Sequence, residues 1–261
     1  MMLIPYAPIA ASRNESAPSR DWAVELFAEI CLESVMNTAI IVAAGKSERM
    51  GSNTDKAFLN LGSKPVIAWS LLAFEQCQEI DQIVLVVRKD QILAAKSVSQ
   101  MFGISKLRAV VAGGGRRQDS VLNGMKEMDD ETRVVVVHDG ARPCVSPELI
   151  AEIIKSAKRN GCGVAASRVW DTVKYVERGM TVDHTVDRTK LWCVQTPQAF
   201  SAELLRRSYR AVEEQKVTVT DEAGAVELIG EPVRLVEWPL PNIKITTAED
   251  LPLAAAAMKI T

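Results

Sequence analysis

The sequence predicts an α/β fold on a mostly parallel sheet, and three observations carry that prediction. Short apolar runs recur from Asn37 onward, helical patterns lie between them, and small or turn-forming residues separate the two. Apolar runs without polar alternation are what parallel strands buried on both faces require. The first is Ala39–Val42, followed by Ile83–Val87, Ala109–Val111, Val134–Val137 and Gly163–Ala166. Among the helices, Pro65 suits a first helical position, and Ile67, Leu71 and Phe74 then recur at i, i+4 and i+7. Val121, Met125 and Met128 repeat that spacing in the next helix. Ser146 and Pro147 read as an N-cap and first turn, with Leu149, Ile150, Ile153 and Ile154 facing inward. The alanine run Ala254–Ala257 belongs to a C-terminal helix. Strands and helices in alternation make a Rossmann-like, doubly wound sheet in three layers, with ligands expected at the carboxyl ends of the strands.

The alternation breaks between Asp171 and Thr196. Thr172–Val176 and Thr181–Val186 read as strands joined by Glu177-Arg178-Gly179, with no helix to cover them. The expectation is a β-hairpin arm over about residues 171–196 that projects from the sheet. A lone two-stranded ribbon is marginal and usually finds a partner.

Bulk properties bound the function. A chain of 261 residues, 48% hydrophobic, fits one large α/β domain. A net charge of −2 argues against general nucleic-acid binding, which needs a basic excess. Cys31, Cys77, Cys144, Cys162 and Cys193 are odd in number and show no C-x-x-C spacing, which disfavours a disulfide framework or zinc site and fits the cytoplasm. No apolar run approaches the roughly 18 residues of a membrane span. The first 35 residues stand apart: Ala7–Arg20 is rich in Ser, Pro and Ala, and Asp21–Leu32 can form one short amphipathic helix. This stretch lacks the basic start and apolar core of a signal peptide, so residues 1–35 are expected to be a flexible extension before a domain spanning 36–261.

The strongest chemical signal follows the first strand: Ala43-Ala44-Gly45-Lys46-Ser47-Glu48-Arg49-Met50-Gly51, then Lys56. Gly45-Lys46-Ser47 imitates the end of a Walker A loop, but that motif needs glycine where Ile40 stands. The dinucleotide pattern also fails, because Ser47 and Met50 occupy its later glycine positions. What remains is a small-residue loop with two cations, Arg49 and Lys56. Its backbone N–H groups can approach a triphosphate while the cations neutralise developing charge. An ordinary turn with two solvated cations has the same spacing.

This loop resembles the signature of the 2-C-methyl-D-erythritol 4-phosphate cytidylyltransferase family of the non-mevalonate isoprenoid pathway. The likeness continues through Gly113-Gly114, Arg117, Asp119-Ser120-Val121, His138-Asp139-Gly140-Ala141-Arg142-Pro143 and Asp171-Thr172-Val173-Lys174. His184-Thr185-Val186-Asp187-Arg188, Thr196-Pro197-Gln198, Thr220-Asp221-Glu222-Ala223 and Asn242-Ile243-Lys244 then follow in family order. The resemblance implies transfer of CMP from CTP to the sugar-alcohol phosphate with release of pyrophosphate. It implies Mg²⁺ or another divalent cation, and a homodimer formed through the arm. Arg49 and Lys56 match the groups that stabilise charge at the α-phosphate, and Arg188 and Lys244 those that hold the substrate phosphate beside it. Ala43, Ala44, Gly45, Gly114, Ser120 and Asp139 match nucleotide-binding positions, with Asp139 also the candidate metal ligand. Gly140, Arg142, Thr172, Thr196 and Thr220 join Arg188 and Lys244 as substrate-binding positions.

Three positions depart from the pattern: Asp55 stands where the family often has proline, Ser47 where it often has glycine, and Gly115 where some members carry an acid. Asp55 beside a phosphate site bears on the local electrostatics. The reaction chemistry suits the inventory, because a phosphate monoester is already an anion and needs no strong base. Positioning two anions and spreading their charge asks for Arg, Lys and a metal. His138 and His184, the only histidines, are therefore expected to be structural. Asp139 ends an apolar strand, where a carboxylate must be paired, metal-bound or used as a cap. One rival is a ribitol 5-phosphate cytidylyltransferase, which shares the loop and most cations. Another is a silent nucleotide-sugar-binding module, against which the retention of all four cations argues. A bifunctional fusion is not expected at this length.

Overall fold

Every strand expected from an apolar run is present, and each extends slightly beyond that run. The computed structural model describes residues 36–45 and 55–260, within the unit Val35–Thr261. The expected extension 1–35, Ser47 and the loop cation Arg49 lie outside the described residues. In chain order, β1 (Met36–Ala43) precedes a 3-10 turn at Lys56–Phe58, the small hairpin β2 (Asn60–Leu61) and β3 (Lys64–Pro65), and α1 (Val66–Gln76). Then come β4 (Gln82–Val87), α2 (Ile92–Met101), β5 (Leu107–Ala112), α3 (Arg117–Met125), β6 (Thr132–Asp139), α4 (Pro147–Asn160) and β7 (Cys162–Arg168). The arm holds β8 (Lys174–Tyr175) and β9 (His184–Thr185). After it come β10 (Trp192–Ser201), α5 (Ala202–Glu214), α6 (Glu222–Leu228), β11 (Leu235–Glu237) and α7 (Asp250–Ala257).

The main sheet has the order β11-β7-β10-β6-β1-β4-β5. All its strands run one way except β10, which is antiparallel to both β6 and β7. Alternating side chains feed two cores. Ile41, Ile83, Leu85 and Val136 point to the face covered by Ile67, Leu71 and Phe74 of α1 and by Leu149, Ile150, Ile153 and Ile154 of α4. Ile40, Val84, Val135 and Val137 point to the other face, under Val121 of α3, Leu205 and Tyr209 of α5, and Val226 of α6. Both faces are sealed, which explains why these strands read as unbroken apolar runs. The expected N-cap holds: Ser146 Oγ accepts from the N–H of Leu149 at 3.3 Å, with Pro147 in the first turn.

Several expectations shift. Pro65 is the N-cap of α1 rather than its first helical residue. Its extended ψ of 148° keeps it paired with Asn60 in the small hairpin. Helix α3 ends at Met125, so Met128 is buried beyond the helix. The arm strands shrink to two pairs, Lys174 with Thr185 and Tyr175 with His184, because the flanking residues have nothing to pack against. Residues Trp192–Thr196, expected at the arm's end, belong to β10 of the main sheet. Pro197 disguised that strand: proline cannot donate to a ladder, and the pairing with β7 shifts register between Val194 and Gln198.

Candidate active site

The site forms where β1, β5 and β6 end, at the edge predicted for ligands. A cleft of about 530 Å³ is lined there by Ala43 at the end of β1, Ala44 and Gly45 after it, Lys56 of the 3-10 turn, Gly114 before α3 and Ser120 in its first turns, together with Asp139 and Lys244. That volume is in the range of small-molecule sites. Two of the three glycines between β5 and α3, Gly113 and Gly114, are demanded by close approach. A Cβ on Gly113 would stand 2.2 Å from Cβ of Ala44, and one on Gly114 would stand 2.4 Å from Cβ of Asp119. Ser120 ties the loop down, accepting from the N–H of Gly114 at 3.1 Å and donating to the carbonyl of Arg116 at 3.2 Å. Helix α3 thus starts at the cleft wall, with the positive end of its dipole toward the opening.

Asp139, at the last position of β6, organises the cations. Its Oδ1 accepts from Nε of Arg117 at 3.1 Å, and its Oδ2 accepts from Nζ of Lys244 at 2.7 Å. Nε of Arg142 stands 3.7 Å from the same Oδ2. Burial alone would raise this carboxyl, but Arg117, Lys244 and Arg142 outweigh it and hold Asp139 well below the usual carboxylate range. The N–H of Asp139 donates to Oγ1 of Thr196 at 3.0 Å, and that hydroxyl lies 3.2 Å from Nδ1 of His138. Nε2 of His138 faces the carbonyl of Arg142 at 3.3 Å. A carbonyl can only accept, so the hydrogen-bond pattern places the imidazole hydrogen on Nε2 and makes Nδ1 the acceptor for Thr196. Burial drives the His138 pKa down to about 3, so the ring is neutral and structural, as expected.

Arg117 belongs to the sequence pattern without an expected role, and the structure makes it central. Its Nη1 and Nη2 donate to the two carboxylate oxygens of Glu222 at 2.6 and 3.0 Å, while its Nε serves Asp139. Tyr209 donates its hydroxyl to Oε1 of Glu222 at 2.8 Å. Glu222 is fully buried, and its side chain is the charge that an apolar helix pattern, Glu222-Ala223-Gly224-Ala225-Val226, leaves unexplained.

A second cleft of about 270 Å³ adjoins the first and shares Arg117, Asp139 and Lys244 with it. Arg142, Thr196 and Thr220 line it, so four of the expected substrate positions gather on one side of Asp139. Gly140 does not line either cleft. It is buried, and a Cβ there would meet Cδ1 of Ile67 at 2.5 Å. Thr172 and Arg188 stand exposed on the arm and line neither cleft of this chain. Arg188 instead donates to the carbonyl of Trp170. Asp55 is turned inward: its Oδ1 accepts from the N–H of Ala57 at 3.1 Å, and its Oδ2 stands 3.5 Å from Nε of Arg88. Burial pushes its carboxyl up, opposed by that N–H and by Arg88.

Among the described residues no group of three or more His, Cys, Asp or Glu side chains could hold a metal ion. Asp139 remains one carboxylate at the boundary of the two clefts, which fits a cation such as Mg²⁺ that uses one or two carboxylates and takes its other ligands from phosphates and water. No described helix is long and apolar enough to cross a membrane.

Known proteins resemble this chain in sequence and in fold. The family described as IspD, 2-C-methyl-D-erythritol 4-phosphate cytidylyltransferase, matches residues 37–260. A protein of that name from Alkaliphilus oremlandii is 39% identical over 230 residues, 87% of this chain and 98% of its own. One from Dehalococcoides mccartyi is 43% identical over 221 residues, covering 85% of this chain and 95% of its own. The crystal structure of the 4-diphosphocytidyl-2C-methyl-D-erythritol synthase from Anaerococcus prevotii superposes with a TM-score of 0.76 at 33% identity. It covers 86% of this chain and 96% of that one.

Proposed function

The chain belongs to the 2-C-methyl-D-erythritol 4-phosphate cytidylyltransferase family, and from that premise we infer its reaction. It is a nucleotidyltransferase that moves CMP from CTP onto 2-C-methyl-D-erythritol 4-phosphate. The products are 4-diphosphocytidyl-2-C-methyl-D-erythritol and pyrophosphate, a step in isoprenoid precursor biosynthesis. The observation that carries this reading to the site is the shared wall of the two clefts. A nucleotide in the larger cleft and an alcohol phosphate in the smaller one meet at Arg117, Asp139 and Lys244.

An oxygen of the substrate phosphate attacks the α-phosphorus of CTP, the bond to the β-phosphate oxygen breaks, and pyrophosphate leaves with that electron pair. The attacking oxygen carries no proton to remove, which suits a site whose one buried histidine stays neutral. Lys56, with Arg49, spreads the charge growing on the α-phosphate, and Lys244, with Arg188, neutralises the incoming phosphate. Mg²⁺, when bound, would neutralise phosphate charge beside Asp139.

The reading includes a homodimer in the cytoplasm. Trp170 is 78% exposed and Met180 95%, which supports an arm covered by a second copy. In that arrangement Thr172 and Arg188 reach the partner's smaller cleft. Free Cys77, Cys144, Cys162 and Cys193 support a reducing compartment.

Pyrophosphate release with CTP and Mg²⁺ tests the reaction, comparing methylerythritol phosphate with ribitol 5-phosphate. A higher kcat/KM for methylerythritol phosphate is expected, as is much weaker turnover with ATP or UTP. A preference for ribitol 5-phosphate would overturn the substrate while keeping the reaction class.

A further inference from the structure

We infer that Glu222 and Tyr209 are positioning residues for the transfer, acting through Arg117; this rests on the reaction just proposed. A fully buried carboxylate is costly to fold around, and a buried ion pair rarely repays its desolvation in stability. The Glu222–Arg117 pair is therefore better explained by the geometry it imposes. Glu222 takes both terminal nitrogens of the guanidinium at 2.6 and 3.0 Å, a two-point grip that leaves the plane no freedom to turn. The Tyr209 hydroxyl, reaching from α5 at 2.8 Å, fixes the oxygen that makes the shorter of those bonds. With that edge occupied, Nε is left to face Asp139 at 3.1 Å.

The consequence is a chain of fixed orientations running from α5 and α6 through the sheet edge to the boundary of the clefts. Asp139 is in turn bonded to Lys244 at 2.7 Å, so the grip on Arg117 also sets where two of the cations stand relative to each other. Arg117, Asp139 and Lys244 line both clefts, whereas neither Glu222 nor Tyr209 lines either. Neither of these two outer residues touches substrate; their effect passes through the guanidinium.

A double-mutant cycle reads this directly. Parental turnover of CTP with the alcohol phosphate is measured first, so that a missing reaction is seen separately from missing coupling. Glu222→Gln keeps the shape and removes the charge; kcat should fall about tenfold, the equivalent of one charge-assisted hydrogen bond. The dissociation constant for CTP, measured by calorimetry without the second substrate, should move less than about threefold, since most of the nucleotide cleft is untouched. In an Arg117→Lys background, Glu222→Gln should add less than about a further twofold, because the fork it orients is gone. Tyr209→Phe, which removes one oxygen from a packed ring, should lower kcat about threefold and be equally silent in that background. If Glu222→Gln fails to fold, Tyr209→Phe and Arg117→Lys run the same cycle. Losses that multiply, or single variants with parental kcat and only a lowered Tm, would overturn the assignment.

Discussion

The edge of the central sheet and the arm both contribute expected site residues, but they hold them in opposite ways. At the sheet edge Asp139 is fixed from four sides, by Arg117, Lys244, Thr196 and the approach of Arg142. On the arm, two residue pairs of ladder carry Thr172 and Arg188 into solvent, and Met180 at its tip is almost fully exposed. The first region is preorganised by its own chain, so it can stabilise charge without rearranging at the moment of reaction. The second is exposed along most of its length and has few buried contacts of its own.

The sharpest break of this contrast is chemical. Lys56 lines the larger cleft from the sheet-edge region; if nucleotide binds there, Lys56→Ala should lower kcat by roughly 10²-fold or more, the scale for one preorganised charge-stabilising group. Steady-state assays with CTP titration check this, and near-normal kcat would remove Lys56 from the chemistry. Next in size is complementation between the two regions. Lys56→Ala and Arg188→Ala enzymes, each expected to be strongly impaired, are mixed under conditions of subunit exchange. If the arm serves a neighbouring copy, half the dimers are mixed and one site in each is intact, so roughly a quarter of parental activity returns. If Arg188 serves its own chain, every site keeps a defect and nothing returns.

Stability should show the same division. A Cβ on Gly163 in β7 would lie 2.5 Å from the carbonyl oxygen of Ile153 and 2.7 Å from Cβ of Ser156, in packed surroundings. Gly163→Ala should therefore cost about 1–3 kcal/mol in urea unfolding. Gly179 in the arm has φ +69° but no atom within 4 Å of its added Cβ, so Gly179→Ala strains only a segment able to open by itself. Its effect on the global transition should stay below about 0.5 kcal/mol, as for surface sites away from packing. Equal losses at the two glycines would erase the distinction. The smallest effect is expected from deleting residues 1–35. The family match begins at residue 37, so Tm and kcat should stay at parental values. A fall in either on truncation would tie that stretch to the domain.

The sequence by itself determined five of the seven strands of the main sheet and the edge at which they would build a site. An apolar run that must be buried on both faces allows few architectures, and small residues after the first run allow few uses. The resemblance of the motifs named the reaction and eleven of the residues that line the two clefts. Hidden from both was whatever depended on contacts between distant segments. Strand β10 was masked by Pro197, whose missing N–H is tolerable only because the ladder shifts register there. Gly140, matched as a substrate position, lines neither cleft, and Ile67 of α1 occupies the space a side chain there would need. Glu222 and Arg117, 105 residues apart, show no pattern in sequence that pairs them. Only the folded sheet brings α3 and α6 together at one strand end. There the cost of burying each charge decides which partners must meet, and no local rule of spacing records that cost.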